Sequence, residues 1–311
     1  MHRREFLASA AAIPFAATAT LSAKDRSMIP AIDTHQHLWD LTKIKLNWLK
    51  DGHPLAANFT PKEYAQAIDG LNVVKSVYME VDVVKELQQT EADYVIGLCE
   101  SKATTMVAAV VGGHPASDSF ATYAKQFKGH KYVKGIRQVI HADSTPPGYC
   151  LNDAFVKGVQ LLGELGLSFD ICIRAAELLD AAKLIDRCPG TRFILDHCGN
   201  ADAHHAPKDR EKWKSDMIEV AKRKNVVCKV SGFIASSEKG KWKVEDLAPV
   251  INHTIDTFGS DRVMFGGDWP VVTKAATYKE WITALRDVVK GRPETDQKKL
   301  FHDNAVKQYG I

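Results

Sequence analysis

Eight short runs rich in apolar and β-branched residues recur along the chain, and longer amphipathic segments separate them. The runs are PAIDTHQ, KSVYMEVD, MVAAVVGG, VKGIRQVIH, LSFDICI, RFILDHCG, VVCKVSG and VMFGGDWP. Strands that alternate with helices at this interval indicate parallel βα units, and eight such units over about 250 residues are the content of a (β/α)8 barrel. The runs are almost continuously apolar, which is typical of strands buried on both faces. We therefore predict an α/β fold, a (β/α)8 barrel of the TIM type.

A doubly wound open sheet is the rival architecture, and it usually carries a glycine-rich turn after its first strand. No G-x-G-x-x-G motif follows PAIDTHQ, and no low-complexity linker or internal repeat divides the chain. With 311 residues, of which 45% are hydrophobic, the chain can bury a large core. We predict one barrel domain over residues 29–311.

The first 23 residues differ from the rest. They carry the pair Arg3 and Arg4, then Phe6 and Leu7, and then an alanine-rich, weakly apolar run. This pattern resembles a twin-arginine export signal, which is removed from the mature protein. The run is far shorter than the roughly 20 residues that a membrane-spanning helix needs. We predict a signal peptide over residues 1–23 and an exported, periplasmic protein that has no membrane segment once the signal is removed.

Charge and cysteine content exclude several function classes. The formal net charge of +3 is spread over the chain without a basic block, so we expect no nucleic-acid partner. The six cysteines form no C-x-x-C pair, which argues against a thiolate metal cluster. Cys172, Cys198 and Cys228 lie in apolar, strand-like runs, and we expect mostly free thiols.

Polar residues follow nearly every predicted strand. In a parallel barrel the carboxyl ends of all strands meet on one face, so distant residues converge on a single pocket. His35 and His37 stand two apart on the first run, where side chains point to the same side. The full set of strand-end residues is His35, His37, Glu80, Arg137, His141, Asp170, His197, Lys229 and Asp268.

Each of these residues also has a purely structural interpretation. The H-x-H pair occurs by chance in many strands, Asp268 before Trp269 and Pro270 could cap a helix, and Arg137 and Asp170 could form a buried ion pair. The order of the motifs favours function, because H-x-H on the first strand, histidine on the sixth and aspartate on the eighth would seldom coincide by chance.

The chain resembles the amidohydrolase-related family, in particular its lactonase branch with fuconolactone hydrolase and pyrone dicarboxylate lactonase. The resemblance extends from about Ile29 to the end and rests on AIDTHQHLWD, VKGIRQVIH, FILDHCGN, CKVSG, MFGGDWPV and HDNAVKQYGI in that order. It implies an amidohydrolase-like barrel and a hydrolase that opens a small-molecule lactone, either a sugar-acid lactone or one that bears a carboxylate.

The chain departs from the metal-rich members of this family. Those members carry a bridging carboxylated lysine or glutamate on the fourth strand and usually a histidine on the fifth, where this chain has Arg137 and Asp170. We therefore expect no binuclear centre. Relatives in the lactonase branch are often described as free of metal, and we expect no cofactor. The alternative is one divalent ion, zinc, whose ligands would be His35, His37, His197 and Asp268.

Lactone hydrolysis needs a polarised carbonyl, an activated water and a proton for the leaving alkoxide. We predict that Asp268 is the general base and that His35, His37, His197 and the cation of Lys229 polarise the carbonyl. Arg137 could bind a substrate carboxylate bidentately. The predicted substrate contacts are completed by residues of the other strand ends and by three tryptophans near the mouth: Glu80, His141, Asp170, Trp39, Trp48 and Trp269.

Two other function classes stay open at this point. One is a related enzyme on the same scaffold, either an amide hydrolase or a metal-dependent decarboxylase. The other is a non-catalytic periplasmic protein that binds sugar acids and would keep its affinity without Asp268.

Overall fold

A computed structural model describes residues 28–46, 48–50, 52–204 and 206–311, so the predicted signal peptide lies outside the described residues. Eight parallel strands neighbour one another in chain order and form a nearly closed barrel. The strands are β1 (Ala31–Gln36), β2 (Val73–Met79), β3 (Met106–Gly112), β4 (Val133–Val139), β5 (Ser168–Cys172), β6 (Arg192–Leu195), β7 (Val226–Val230) and β8 (Val263–Phe265). The eight predicted strands and the TIM-type barrel are confirmed.

Helices follow the strands and cover the outside of the barrel. They are α1 (Pro61–Ala67), α2 (Gln88–Ser101), α3 (Phe120–Lys125), α4 (Asp153–Leu165), α5 (Leu178–Arg187), α6 (Pro207–Ala221), α7 (Val244–Phe258), α8 (Tyr278–Val289), α9 (Glu294–Lys298) and α10 (Asn304–Tyr309). Among the described residues, none of these helices combines the length and the apolar character that crossing a membrane requires.

The barrel closes between β1 and the segment that follows β8. The Asp268 amide donates to the His35 carbonyl at 2.8 Å, and the His37 amide donates to the Trp269 carbonyl at 2.8 Å. These two hydrogen bonds continue the parallel pairing beyond the end of β8. They place Asp268 directly beside the two histidines of β1.

The buried carboxylate of Asp33, on the outer side of β1, connects the seam between β1 and the segment after β8 to two helices. One oxygen of Asp33 accepts from the amides of His35 at 2.9 Å and Gly267 at 2.7 Å. The other accepts from the hydroxyls of Tyr64 at 2.9 Å and Tyr278 at 3.0 Å. Because Tyr64 lies on α1 and Tyr278 on α8, one side chain ties two helices to both ends of the seam.

The interior of the barrel is apolar at the bottom and charged above. A cluster that includes Ile32, Val77, Val227 and Met264 fills the lower layer, and Tyr309 of α10 packs against it. Buried polar and charged side chains form the layer above. All six cysteines are buried and free, as their apolar surroundings predicted.

Candidate active site

Three imidazoles meet above the charged layer. The pairing of β1 with β2 is irregular between Asp33 and Gln36, and Asp33 contacts helices outside the barrel while His35 turns inward. The ring centroid of His35 is 4.8 Å from that of His37 and 4.4 Å from that of His197. Residues of the first and sixth strands are therefore in contact.

The contacts of His37 fix the roles of its two nitrogens. Nδ1 lies 2.9 Å from the carbonyl of Met79 and 3.0 Å from that of Glu80. A carbonyl can only accept, so Nδ1 carries a proton. Nε2 faces Oδ1 of Asp268 at 3.3 Å, and two acceptors at this distance require a proton or a cation between them.

Arg137 is anchored almost entirely by the protein. Its Nε donates to Oε1 of Glu80 at 2.6 Å, and Nη2 donates to the Glu80 carbonyl at 2.8 Å. Nη1 donates to Oδ2 of Asp196 at 3.1 Å and lies 3.3 Å from Nε2 of His35. Burial opposes the charge, but Glu80 and Asp196 hold the pKa of Arg137 well above its usual value. Of its five N–H groups, one remains for a ligand.

Lys229 is the second buried cation. Its Nζ donates to Oδ2 of Asp170 at 2.7 Å and lies 3.2 Å from Oδ1 of Asp196. Although burial disfavours the carboxylate, Lys229 and His35 hold the pKa of Asp196 well below its usual value. Burial raises the pKa of Asp170 to about 6 against the opposing effect of Lys229. Asp196 thus bridges the two cations.

His35 is neutral at the centre of this network. Burial lowers its pKa well below the usual value, even though Asp196 pulls in the opposite direction. Nδ1 lies 3.4 Å from Oδ1 of Asp196, and Nε2 faces Nη1 of Arg137. A proton on Nδ1 satisfies both contacts, because Nδ1 then donates to the carboxylate and Nε2 accepts from the guanidinium.

His197 lies at the start of a left-handed turn. The φ values of His197, Cys198, Gly199 and Asn200 are 56°, 53°, 68° and 51°, a conformation that residues with a side chain seldom adopt. Burial lowers the pKa of His197. Its Nδ1 is 3.0 Å from the Ser231 hydroxyl. If the hydroxyl donates, Nδ1 accepts and the proton of the neutral ring sits on Nε2.

Asp268 carries the same kind of backbone strain. Its φ is 52°, and such conformations cost about 1–3 kcal/mol and concentrate at functional sites. Oδ1 lies 3.3 Å from Nε2 of His37 and 3.7 Å from Nε2 of His35. The carboxylate is 3% exposed, yet it borders the cavity described next.

A cavity of about 440 Å³ opens at the carboxyl ends of the strands. Among the predicted site residues, His37, Trp39, Arg137, His141, His197 and Asp268 line it. Burial, with His197 and Arg137 nearby, lowers the pKa of His141 to about 4, and its Nδ1 is 3.1 Å from the Cys172 sulfur. The thiol can donate to Nδ1, which leaves the proton of the neutral ring on Nε2.

Five predicted contact residues do not line this cavity, and the prediction of direct contact is corrected for them: His35, Glu80, Asp170, Lys229 and Trp269. His35 is fully buried and faces Asp196 and Arg137. Glu80 is occupied with Arg137, and Asp170 and Lys229 are occupied with each other. Lys229 is fully buried below the histidines, so it cannot donate to a carbonyl in the cavity. The Trp269 ring packs against other aromatic rings behind the wall.

The structure also changes the predictions for Arg137 and Trp39 in detail. Arg137 and Asp170 neighbour each other in strand register, but each forms its ion pair elsewhere. A bidentate bond from Arg137 to a substrate carboxylate would require it to release Glu80 or Asp196. Trp39 reaches the cavity wall, but it is 1% exposed and its Nε1 donates to the Ala57 carbonyl at 2.8 Å.

Sequence reasoning missed several lining residues. They are Asp82, Cys172, Asn200, Phe233 and Ser236 among others, whereas the predicted Trp48 does line the cavity. Asp82 follows Glu80 in the run KSVYMEVD, so its position two residues beyond a strand-end carboxylate was the available signal. Asn200 and Ser236 lie on turns beyond β6 and β7, where a strand pattern gives no information.

The donor atoms around Asp268 fit a single divalent ion. Side-chain donors of His35, His37 and Asp268 lie within 4.8 Å of one another, as do those of His35, Asp196 and His197. The backbone carbonyls on Nδ1 of His37 orient Nε2 as a metal ligand requires. One contact argues against a metal ion: the Arg137 guanidinium already faces Nε2 of His35.

Comparison with known proteins agrees with this fold. A sequence model of the amidohydrolase family matches residues 32–311. An L-fucono-1,5-lactonase of Burkholderia multivorans is 26% identical over 90% of this chain and 96% of its own length. An L-rhamnono-gamma-lactonase of Scheffersomyces stipitis is 22% identical over 90% and 98%. An amidohydrolase from Burkholderia multivorans, crystallised with bound zinc, superposes with a TM-score of 0.79 at 22% identity over 91% and 99%.

The position of His197 depends on a glycine. Gly232 has φ 69°, and a Cβ there would lie 2.0 Å from Nδ1 of His197. Gly240 has a similar φ of 73° with nothing within 4 Å. We expect Gly240→Ala to cost about 1 kcal/mol of unfolding free energy from backbone strain alone. Gly232→Ala should cost a further 1–3 kcal/mol or so from overpacking. Equal losses in denaturant unfolding would contradict this support of His197.

Proposed function

The chain belongs to the amidohydrolase family of hydrolases, and we propose that it opens the ring of a lactone with Asp268 as the general base. The observation that carries this proposal is the meeting of one strained carboxylate, Asp268, with the imidazoles of His37 and His197 at the cavity. Oδ1 of Asp268 lies 3.3 Å from Nε2 of His37, and both residues line the cavity. The lactonase names of two relatives that match nearly the whole chain support the choice of substrate class.

Asp268 has the chemistry that the first step needs. A water between Asp268 and a bound lactone would lose its proton to the carboxylate as its oxygen attacks the carbonyl carbon. The closure of the barrel holds this group in place, because the Asp268 amide is bonded to β1.

The histidines supply donors for the oxyanion that forms. With Nδ1 of His197 facing the Ser231 hydroxyl, the Nε2–H of His197 can donate to the carbonyl oxygen as its charge develops. Burial lowers the pKa of His197, so the ring donates as a neutral group. Arg137 contributes its positive field from the cavity floor.

The second step returns the proton. The tetrahedral intermediate collapses, the bond between the carbonyl carbon and the ring oxygen breaks, and protonated Asp268 gives its proton to the leaving alkoxide. The product is an open-chain hydroxy acid, which ionises at neutral pH. Asp268 is then a carboxylate again.

A divalent ion would be held by His37, Asp268 and His35. Bound there, it would polarise the lactone carbonyl and lower the pKa of a bound water. The Arg137 guanidinium competes for Nε2 of His35 at 3.3 Å. For this reason we propose that the chain's own donors suffice and that no metal is required.

The role of Asp268 is tested by Asp268→Asn. Asparagine tolerates the left-handed backbone as aspartate does, but it cannot accept the proton. We expect kcat to fall by about 10²–10⁴-fold, while the melting temperature changes little. Hydrolysis of a panel of sugar-acid and dicarboxylate lactones, followed by acid release with the spontaneous rate subtracted, measures this.

The matched control is Asp287→Asn, which makes the same change on an exposed face of α8 and should leave turnover unchanged. An Asp268→Asn enzyme that keeps more than about a tenth of wild-type turnover would remove Asp268 from the mechanism. That result would favour the alternative of a non-catalytic binding protein.

Another prediction tests the metal. Elemental analysis of the purified protein should be combined with lactone hydrolysis before and after chelation. We expect activity to persist in the chelated protein, an outcome that would also exclude a metal-dependent decarboxylase. One tightly bound zinc per chain, with activity lost on its removal and restored by zinc, would overturn the metal-free proposal.

We also propose that the protein is exported to the periplasm, on the strength of the paired Arg3 and Arg4 before an apolar run. Changing both arginines to lysine should retain the full-length precursor in the cytoplasm. Cell fractionation with an antibody to the mature chain measures where the precursor and the mature chain are found. Normal export of the double variant would refute the twin-arginine assignment.

A further inference from the structure

We propose that Asp82 selects the substrate: its carboxylate binds hydroxyl groups of a neutral, polyhydroxylated lactone and excludes lactones that bear a carboxylate. This inference rests on the proposed lactone hydrolysis and narrows its substrate class. Asp82 lies in the cavity wall, in the same cavity as Asp268.

The backbone after β2 is shaped to present this side chain. Oε2 of Glu80 accepts the Asp82 amide at 2.6 Å, while Oε1 of the same residue holds Arg137. The resulting turn gives Asp82 a φ of 53°. Aspartate is among the few residues that adopt this region without large cost, and strained residues of this kind cluster at ligand sites.

The Asp82 carboxylate has no partner of its own. Within the described part of the chain it accepts no hydrogen bond and joins no ion pair; the sole bond of the residue is its amide to Glu80. Burial and the nearby Glu80 raise its pKa to about 6, so the group is ionised at pH 8. An ionised carboxylate offers about four acceptor sites, which substrate hydroxyl groups can fill.

The charges around the cavity disfavour an anionic substrate. Two carboxylates, Asp82 and Asp268, line the cavity together with Arg137. Arg137 is already paired with Glu80 and Asp196, so it neutralises the protein's own acids. A substrate carboxylate would meet like charge with no unpaired cation among the described lining residues, and such repulsion at a few ångströms lowers affinity by about tenfold or more. A neutral lactone avoids this cost and gains hydrogen bonds.

The test compares two lactones that differ in one group. D-Glucono-1,4-lactone ends in a hydroxymethyl group where D-glucaro-1,4-lactone carries a carboxylate. At pH 8 we expect wild-type kcat/KM to favour the neutral lactone by about tenfold or more. Asp82→Asn should reduce this ratio about tenfold, by raising KM for the neutral lactone and lowering KM for the anionic one. Asparagine keeps the turn, so folding should survive.

Asp69→Asn is the control, because Asp69 is exposed after α1 and outside the cavity; it should leave the ratio unchanged. Equal use of the two lactones by the wild type, or an unchanged ratio in Asp82→Asn, would overturn the role of Asp82 and leave lactone hydrolysis standing.

Binding measured by calorimetry separates the two proposals. In the Asp268→Asn variant, binding can be measured with little turnover. A preference for the neutral lactone that disappears when Asp82→Asn is added supports substrate selection by Asp82. This holds even if the wild type hydrolyses neither lactone. Equal binding of both lactones, or binding of neither, contradicts it. Absence of hydrolysis in the wild type counts against the proposed reaction alone.

Discussion

The site depends on a buried balance of charge in the middle of the barrel, where Arg137 and Lys229 share the carboxylates of Glu80, Asp170 and Asp196. A buried ion without a partner costs several kcal/mol, so each member fixes the positions of the others. His35 lies between the two cations and Asp196, which fix the position of its ring. Burial also lowers the pKa of His197, above this layer, so its ring is neutral as well.

Backbone strain is concentrated immediately above the charged layer. His197, Asp268 and Asp82 all have positive φ values, and all three line the cavity. The seam between β1 and Asp268, the hydrogen bonds of Glu80 and the approach of Gly232 maintain these conformations. These backbone conformations cost stability, and they direct the carboxylates of Asp268 and Asp82 and the imidazole of His197 toward the same cavity.

The sequence predicted the eight strands and the residues at their ends, because an apolar run of strand length is a local property. It could not predict which charged residues face the cavity. Asp170 and Lys229 lie inside β5 and β7 and pair with each other below the cavity, whereas His197 lies beyond the end of β6. Asp82 was missed because its position requires a left-handed turn, which depends on the Glu80 side chain. The left-handed turn from His197 to Asn200 likewise depends on packing against other strands.

The central claim is that Asp268 activates water and does not itself attack the carbonyl. A single turnover in H2¹⁸O, with enzyme in excess over lactone, tests this directly by mass spectrometry of the product and of the peptide that contains Asp268. Direct attack by water predicts one ¹⁸O atom in the product carboxylate and none in the Asp268 side chain. Label in Asp268 with an unlabelled product would show a covalent acyl intermediate and would contradict this account.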